Sequence, residues 1–239
     1  MMREINDVSF VIPEDEAALR IAALWQAYGN RPFCRFWQGE KGGLLAVTEG
    51  TAYARMGEDG EEIALFCTMS PDVRRVRTDG ASAAALAARW GTSCVRGRVM
   101  RAEGFIFPTG QAEELAPSAY YPLMARVFDG LPPFDSWYAD VHHRLRRGLF
   151  AGAAVREGEI PVSCAVTTAA CDKAALIGGV ATLPEYRGKG YASRCVTALA
   201  ARLQSEGRRV WISPKNEEAA ALYLRLGFTP CGEWGVAEK

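Results

Sequence analysis

The last third of the sequence combines a β-prone run, a proline, a glycine-spaced basic turn and an amphipathic helix. The segment reads Val180-Ala-Thr-Leu-Pro-Glu-Tyr-Arg-Gly-Lys-Gly-Tyr-Ala192. Gly188 and Gly190 let a ligand approach the main chain, and the unpaired N–H groups at a helix start attract an anion. This order predicts a strand and a helix joined by a phosphate-binding turn. The alternative is a tight strand-to-helix turn with solvated basic residues.

Two other phosphate-binding motifs do not fit this segment. A Walker A loop needs glycine at position 183 and Ser or Thr after the lysine, whereas this chain has Leu183 and Gly190 there. A dinucleotide-binding turn needs glycine where Ser193 stands and an acidic residue at the end of the next strand, which reads Val210-Trp-Ile-Ser-Pro-Lys-Asn216. Both classes of nucleotide site are therefore excluded here.

A second segment, downstream of the next strand, has the features of a capped helix. It reads Asn216-Glu-Glu-Ala-Ala-Ala-Leu-Tyr-Leu-Arg-Leu-Gly-Phe228. Asn216 is a suitable N-cap, Glu217 and Glu218 favour the positive end of the helix dipole, and Gly227 supplies a left-handed stop. The sequence thus predicts a helix that begins after Asn216 and ends before Gly227.

In these two segments the chain resembles the GNAT superfamily of acyl-CoA-dependent N-acetyltransferases. The family holds the coenzyme A pyrophosphate with the pattern Arg/Gln-x-x-Gly-x-Gly/Ala, which reads Arg187-Gly-Lys-Gly-Tyr-Ala192 here. Its later Asn…Ala…Tyr-x-x-x-Gly-Phe pattern also matches, at Asn216, Ala219 or Ala220, Tyr223, Gly227 and Phe228. The resemblance covers residues 118–239. It implies acetyl-CoA as co-substrate, no metal, and an acyl-CoA N-acyltransferase fold with a mixed central sheet.

The resemblance also implies which residues hold the coenzyme. The strand over 174–183 splays from its neighbour in this family, so that its main chain pairs with the pantetheine amides. The pyrophosphate then lies on the N–H groups of residues 188–193, beside two basic side chains. The coenzyme-binding residues implied are Val180, Ala181, Thr182, Arg187, Gly188, Lys189, Gly190, Tyr191, Ala192, Ser193 and Asn216. For Asn216, helix capping alone explains the residue equally well.

Tyr223 is the catalytic residue that the resemblance implies. A phenol with a pKa of about 10 can donate a proton to a departing thiolate whose conjugate acid has a pKa of roughly 8.5. The alternative is an aromatic ring that only packs the helix against the sheet.

The general base is not identified by the sequence. Many family members carry a glutamate on the strand before the phosphate turn, but residues 174–183 contain no acidic residue. His143, Glu185 and Glu233 are possible substitutes, and a packing role explains His143 better than catalysis. A chain of water molecules would need no basic side chain.

Direct acyl transfer from acetyl-CoA to a primary amine is the function that the resemblance implies. The acceptor, a small molecule or a peptide, cannot be read from the sequence, and the aromatic segment 134–138 either lines its cleft or packs. The alternative function is that of a non-catalytic acyl-CoA-binding sensor or interaction protein. Release of coenzyme A thiol in the presence of amines would separate the two.

Composition narrows the class of partner. Lys plus Arg equals Asp plus Glu, at 28 each, so no overall charge favours nucleic acid or a membrane surface. The seven cysteines are scattered without a C-x-x-C pair, which argues against a zinc site or a disulfide framework. The N-terminus has no apolar signal core, and no run reaches the roughly 18 apolar residues of a spanning helix. We expect a soluble, cytoplasmic protein.

The remaining pattern predicts two domains. In residues 1–112, helices over 14–28 and 83–90 and strands over 34–38, 44–47, 51–55, 62–69 and 94–100 outline a degenerate GNAT-like domain without a coenzyme motif. Ser82 would cap the helix over 83–90. A linker over 107–117 leads into a catalytic domain over 113–239 with mixed α/β order.

The C-terminal half is one strand short of the family pattern. Only eleven residues follow Phe228, whereas the family places two strands there. Either the last strand is missing or the N-terminal half completes the sheet, and completion is the expectation, since it explains why the degenerate half was retained.

Overall fold

The computed structural model describes residues 1–29 and 31–239, which form two compact units. Unit 1 comprises Met1–Val99 and Pro230–Lys239, and unit 2 comprises Met100–Thr229. Within the described residues, no helix combines the length and the apolar character that crossing a membrane requires.

The described residues form strands and helices in a mixed order along the chain. The strands are β1 (Arg3–Ile5), β2 (Cys34–Gln38), β3 (Leu44–Thr48), β4 (Thr51–Arg55), β5 (Arg75–Asp79), β6 (Cys94–Ala102), β7 (Gly152–Glu157), β8 (Ile160–Ala170), β9 (Ala174–Thr182), β10 (Arg209–Ile212) and β11 (Phe228–Glu238). The helices are α1 (Glu16–Tyr28), α2 (Gly60–Met69), α3 (Gly80–Trp90), α4 (Pro117–Ala125), α5 (Phe134–Leu145), α6 (Tyr191–Ser205) and α7 (Glu217–Arg225). Short 3₁₀ helices at Gly57–Asp59 and Pro184–Tyr186 precede α2 and α6.

Unit 1 contains a mixed sheet in the order β1-β2-β3-β4-β5-β11. Neighbouring strands are antiparallel from β1 to β4, β4 and β5 are parallel, and β11 is antiparallel to β5. The core against this sheet includes Leu45, Ile63 and Val76, each of which is fully buried. A parallel pair needs a crossover connection, which α2 supplies between β4 and β5.

Unit 2 repeats this sequence of pairings in the order β7-β8-β9-β10-β6. The β7–β8 and β8–β9 pairs are antiparallel, β9 and β10 are parallel with α6 as their crossover, and β6 is antiparallel to β10. Met100 and Arg101 of β6 pair with Ile212 and Trp211 of β10. A strand that precedes residue 112 therefore completes the sheet of unit 2, which confirms the expectation of completion.

The prediction of a strand over 62–69 is wrong, because this segment lies in α2. Ile63, Ala64 and Cys67 are buried while Leu65 is 57% exposed, so the buried positions follow the helical repeat rather than strict alternation. The run contains three β-prone residues, Ile63, Phe66 and Thr68, but its other residues include the helix formers Glu, Ala, Leu and Met, and burial of one helical face agrees with the helix.

Two further details of unit 1 differ from the sequence prediction. Asp79 caps α3, with its carboxylate accepting a hydrogen bond from the Ser82 N–H at 2.9 Å, so Ser82 is not the cap. Strands β1 and β5 were absent from the prediction, because each is short and carries more charged than apolar side chains.

In unit 2, the predicted strand over 174–183 and the predicted helix between Asn216 and Gly227 agree with β9 and α7 to within a few residues. On α6 the residues Cys195, Val196, Leu199 and Leu203 are buried, whereas Ala192, in the first turn, is only half-buried. Within the segment predicted as a linker, Glu113 forms an antiparallel bridge to Ala154 of β7.

Candidate active site

The turn between β9 and α6 presents main-chain N–H groups without protein partners. Gly188 and Gly190 have φ angles of 76° and 77°, a left-handed conformation that glycine adopts without strain. Gly190 is the N-cap of α6 and has no side chain to cap the helix. Among the described residues, no protein group accepts a hydrogen bond from the N–H groups of residues 188–193. This end of α6 is therefore suited to an anion.

The basic side chains of the turn lie at its surface. Arg187 is exposed, and its Nε donates to the main-chain carbonyl of Thr182 at 3.3 Å. Lys189 Nζ lies 5.1 Å from the ring centroid of Tyr186. Tyr191, in the first turn of α6, donates its hydroxyl proton to the carboxylate of Glu157. Sequence reasoning did not identify Glu157, because the pairing joins residues far apart in the chain.

The parallel pairing between strands β9 and β10 ends before this turn. Their parallel pairing ends at Ile212 with Ile177, whereas β9 continues to Thr182. Residues 178–182 therefore have one edge paired with β8, and no strand in the described chain pairs with the other edge. Val180, Ala181 and Thr182 lie in this half-paired stretch, which leads directly to the phosphate turn. An extended ligand can add to such an edge as a strand would.

Tyr223 lies on the buried face of α7, where it is 4% exposed. Its ring makes an edge contact with Phe228, with the centroids 6.2 Å apart. Burial raises the pKa of the phenol to about 12. The hydroxyl therefore carries its proton at neutral pH and can act only as a donor of that proton or as an uncharged acceptor.

Asn216 caps α7 as predicted, since its Oδ1 accepts a hydrogen bond from the Ala219 N–H at 2.9 Å. Gly227 follows the helix with a φ of 92°. The cap accounts for Asn216 without a ligand.

The three candidate bases lie in different surroundings. His143, on α5, has Nδ1 3.4 Å from a guanidinium nitrogen of Arg147. Glu185 is exposed and forms a 3.1 Å ion pair with Arg126. Glu233 lies on the part of β11 that belongs to unit 1. None of these contacts identifies one of the three residues as the group that would deprotonate an amine.

The aromatic segment at the start of α5 forms a cluster with α4. The rings of Phe134 and Tyr138 stack at 5.3 Å, and Tyr121 contacts both Phe134 and Trp137 at 5.2 Å. Packing thus explains this segment, although Phe134 remains 41% exposed. Among the described residues, no group of three or more His, Cys, Asp or Glu side chains could hold a metal ion.

Unit 1 has an acidic turn at the position where unit 2 has the basic one. In both units an antiparallel strand pair, a short 3₁₀ helix, a crossover helix and a parallel strand follow in the same order. The 3₁₀ helix Gly57–Asp59 precedes α2, and the carboxylate of Asp59 accepts hydrogen bonds from the N–H groups of Lys41 and Gly43 at 3.0 and 2.7 Å. A pyrophosphate at this helix start would face carboxylates, which repel it.

One acetyl-CoA is therefore expected to bind per chain, at the turn of unit 2. Isothermal titration calorimetry of the full chain should give a stoichiometry near one. Two equivalent sites would contradict the assignment of unit 1 as lacking a coenzyme site.

Comparison with known proteins identifies the family of unit 2. The sequence profile of the acetyltransferase (GNAT) family matches residues 113–228. No sequence among the curated proteins matches the chain.

Several solved structures share the fold of the chain. A GCN5-related N-acetyltransferase from Kribbella flavida is 16% identical with a TM-score of 0.64, and the match covers 93% of this chain and 95% of that one. A GNAT-family acetyltransferase from Colwellia psychrerythraea is 13% identical with a TM-score of 0.61 and coverages of 100% and 99%. A tandem GNAT protein from the clavulanic acid biosynthesis pathway is 16% identical with a TM-score of 0.56 and coverages of 100% and 98%. These likenesses confirm the predicted fold class.

The half-paired strand, the phosphate-type turn and the helix after it occupy the stretch that the family profile matches. Residues 113–228 therefore belong to the GNAT acetyltransferase family, and the protein is an acyltransferase.

Proposed function

We propose that the protein is an N-acetyltransferase that transfers the acetyl group of acetyl-CoA directly to a primary amine of a small molecule or peptide. The observation that carries the proposal is the continuity of two features in unit 2. The half-paired edge is formed by residues 178–182. A short 3₁₀ helix follows it, and then come the N–H groups of residues 188–193, which have no protein partner. An extended arm that ends in a pyrophosphate matches this combination of a strand edge and an anion site.

The coenzyme is assigned to these residues as follows. The main chain of Val180, Ala181 and Thr182 pairs with the pantetheine amides. The N–H groups of residues 188–193 hold the pyrophosphate, and Arg187 and Lys189 add positive charge. Asn216 caps α7, and a contact with the coenzyme is the second role that the resemblance implies for it.

The reaction needs one bond formed and one broken. The nitrogen of the neutral amine attacks the thioester carbon, the C–N bond forms, and the C–S bond breaks as the intermediate collapses. The nitrogen loses a proton to solvent, and Tyr223 donates a proton to the sulfur and recovers one from solvent. The pKa of the buried phenol, raised to about 12, keeps the hydroxyl protonated at neutral pH, so that it can donate a hydrogen bond to the sulfur while negative charge develops there.

The first 112 residues are proposed to be a degenerate GNAT-like domain that serves the catalytic domain over 113–239. The repeated order of elements and the acidic turn at Gly57–Asp59 support this division. The match to the tandem GNAT protein also covers 100% of this chain and 98% of that protein's chain.

One observation favours the alternative of a non-catalytic acyl-CoA-binding protein. Strand β9 carries no acidic residue, whereas many members of the family that the chain resembles carry a glutamate on this strand. Coenzyme binding without turnover on any amine would support this alternative.

The test is a screen of amines, amino acids, polyamines, aminoglycosides and peptides with acetyl-CoA. Release of coenzyme A thiol, together with a product heavier by one acetyl group, supports the enzyme. Thiol release without an acetylated product indicates only hydrolysis. If acetyl-CoA does not bind in calorimetry, both functions are wrong.

Gly190→Asp is expected to lower the affinity for acetyl-CoA by at least about tenfold, roughly 1.4 kcal/mol. The new carboxylate would stand where the pyrophosphate needs space and would repel it. Gly207→Asp is a matched control, since Gly207 also has a left-handed φ of 79° and open space where a Cβ would lie, but it follows the other end of α6. Both variants carry the same backbone strain, so only Gly190→Asp should lose affinity. Unchanged affinity of folded Gly190→Asp would remove this turn from the site.

A further inference from the structure

A groove of about 770 Å³ lies between three elements of unit 2. One wall is α6, the second is the segment over 105–113, and β7 supplies the third side. None of the residues proposed to hold the coenzyme lines this groove. Its volume falls within the range of roughly 300–1,000 Å³ that is typical of small-molecule sites in proteins.

The two longer walls of the groove are fixed to each other by hydrogen bonds. Gln204 of α6 accepts a hydrogen bond from the Ile106 N–H at 2.8 Å. Thr197 of α6 accepts a second one from the Thr109 N–H at 3.0 Å. The segment over 105–113 is therefore held along α6 by the protein itself, and the groove is formed before any ligand arrives.

The charged side chains around the groove are paired with carboxylates, with one exception. Arg156 forms a 2.8 Å ion pair with Glu113, and Arg202 forms a 2.7 Å ion pair with Glu114. Arg194 also lines the groove, but no carboxylate in the described part of the chain forms an ion pair with it. The groove therefore offers one positive charge to an anionic ligand.

The guanidinium of Arg194 is held in place with one pair of its donors unused. Its Nε and Nη2 donate to the main-chain carbonyl of Gln111 at 3.0 and 2.8 Å. A guanidinium has five N–H donors, so one N–H of Nη2 and both of Nη1 have no acceptor among the described residues. An Nη1–H and an Nη2–H lie parallel and match the two oxygens of a carboxylate. Because Arg194 and Gln111 both line the groove, this pair lies between its walls.

The rest of the groove is suited to an apolar, aromatic body. Phe105 lines it and is 51% exposed, and its ring makes an edge contact with Phe107, which is 76% exposed. Small side chains at Ala112, Ala198 and Ala201 leave the space beside the ring open. Adjacent exposed aromatic residues mark binding sites, and an aromatic ring stacks favourably on another ring.

We propose that this groove binds an aromatic monocarboxylate. The carboxylate accepts two parallel hydrogen bonds from Arg194, and the aromatic body lies against Phe105. Fourteen residues line the groove, fewer than the roughly 20–30 that each side of a stable protein interface contributes, so its size fits a small molecule. The site is separate from the proposed coenzyme site and does not depend on the proposed function.

Cinnamate, an aromatic carboxylate, and cinnamamide, its uncharged amide, test the role of the charge. Ligand-observed NMR titrations of the full chain measure both dissociation constants. Cinnamate should bind at least about fivefold more tightly than cinnamamide, because only the carboxylate makes charge-assisted hydrogen bonds with Arg194. Equal affinities, or no binding of cinnamate, would overturn the proposal.

Two substitutions separate the parts of the site. Arg194→Gln should lower the affinity for cinnamate about tenfold and leave that for cinnamamide within about twofold. Phe105→Ala should weaken both ligands by a similar factor of about three, since it removes the aromatic surface alone. The controls are Arg225→Gln, an exposed arginine on α7, and Phe10→Ala, a phenylalanine that is 53% exposed in unit 1.

Both controls should bind cinnamate like the parental protein, because neither residue lines the groove. Equal effects of Arg194→Gln and Arg225→Gln on cinnamate would contradict the site. Saturating acetyl-CoA should leave the affinity for cinnamate within about threefold. Displacement of cinnamate by acetyl-CoA would make the groove part of the coenzyme site and overturn the proposal. Failure of acetyl-CoA to bind would count against the proposed function alone, since the cinnamate measurements need no coenzyme.

Discussion

Replacing Tyr223 by phenylalanine is expected to lower kcat by roughly 10²-fold while the dissociation constant of acetyl-CoA stays within about threefold. The hydroxyl matters only when the C–S bond breaks and negative charge builds on sulfur, so binding in the ground state should hardly change. Phenylalanine retains the ring and its edge contact with Phe228. Steady-state kinetics with an identified acceptor, together with calorimetric binding of acetyl-CoA, measures both quantities.

Tyr53→Phe is the control for this substitution. Tyr53 lies on β4 in unit 1, and its ring contact with Arg20 needs no hydroxyl. Its kcat should equal that of the parental enzyme. If Tyr223→Phe turned over at the parental rate under conditions where chemistry limits the rate, Tyr223 would only pack α7, and the proton donor would be a different group.

Glu16→Ala should destabilise unit 1 by about 3–5 kcal/mol, because it leaves a buried arginine without its counter-charge. Glu16 is 6% exposed, and its carboxylate accepts hydrogen bonds from Arg20 and from Arg77, the latter at 2.8 Å. The side chain of Arg77 is 17% exposed, and its guanidinium lies 4.2 Å from the ring centroid of Trp234. Chemical denaturation followed by circular dichroism measures the free energy of unfolding.

Glu14→Ala is the matched control for the loss of a carboxylate from the same region. Its side chain is 61% exposed and forms a 3.3 Å ion pair with Arg55, so the expected change is at most about 1 kcal/mol. Equal effects of the two substitutions would mean that the buried pair contributes no more than a surface pair.

The same carboxylate predicts how stability depends on pH. Burial alone would raise the pKa of Glu16, but the charges and hydrogen bonds of Arg20 and Arg77 outweigh it, and the pKa lies below its ordinary value of 4.5. Burial lowers the pKa of Arg77 and Arg20 adds to this effect, although Glu16 acts in the opposite direction. Because the pKa of Glu16 is lowered by folding, its contribution is complete above the unfolded-state value and disappears as the pH falls through the folded-state value. Glu16→Gln should therefore flatten the acid limb of the stability curve.

Local sequence was sufficient where a conformation depends on neighbouring residues. The positive φ angles at Gly188 and Gly190, the cap by Asn216 and the stop at Gly227 all follow from side chains within a few positions. The conformation of the turn between β9 and α6 was therefore predictable before any tertiary structure. The same local reasoning failed over 62–69, because the run mixes β-prone residues with helix formers, and packing of Ile63 and Cys67 against the core agrees only with the helix.

Only the tertiary structure decided which distant segments of the chain pair as strands. Strand β6 follows α3 in the chain yet pairs with β10, and β11 follows α7 yet pairs with β5. The sequence of neither strand identifies its partner, because pairing depends on the register between segments that are distant in the chain. The point at which the pairing of β9 with β10 ends also depends on the register between strands that are more than twenty residues apart. The same register leaves the Ser213 hydroxyl buried without a partner. The sequence by itself determined the chemistry of the turn, whereas long-range strand pairing determined where that turn opens and what stands opposite it.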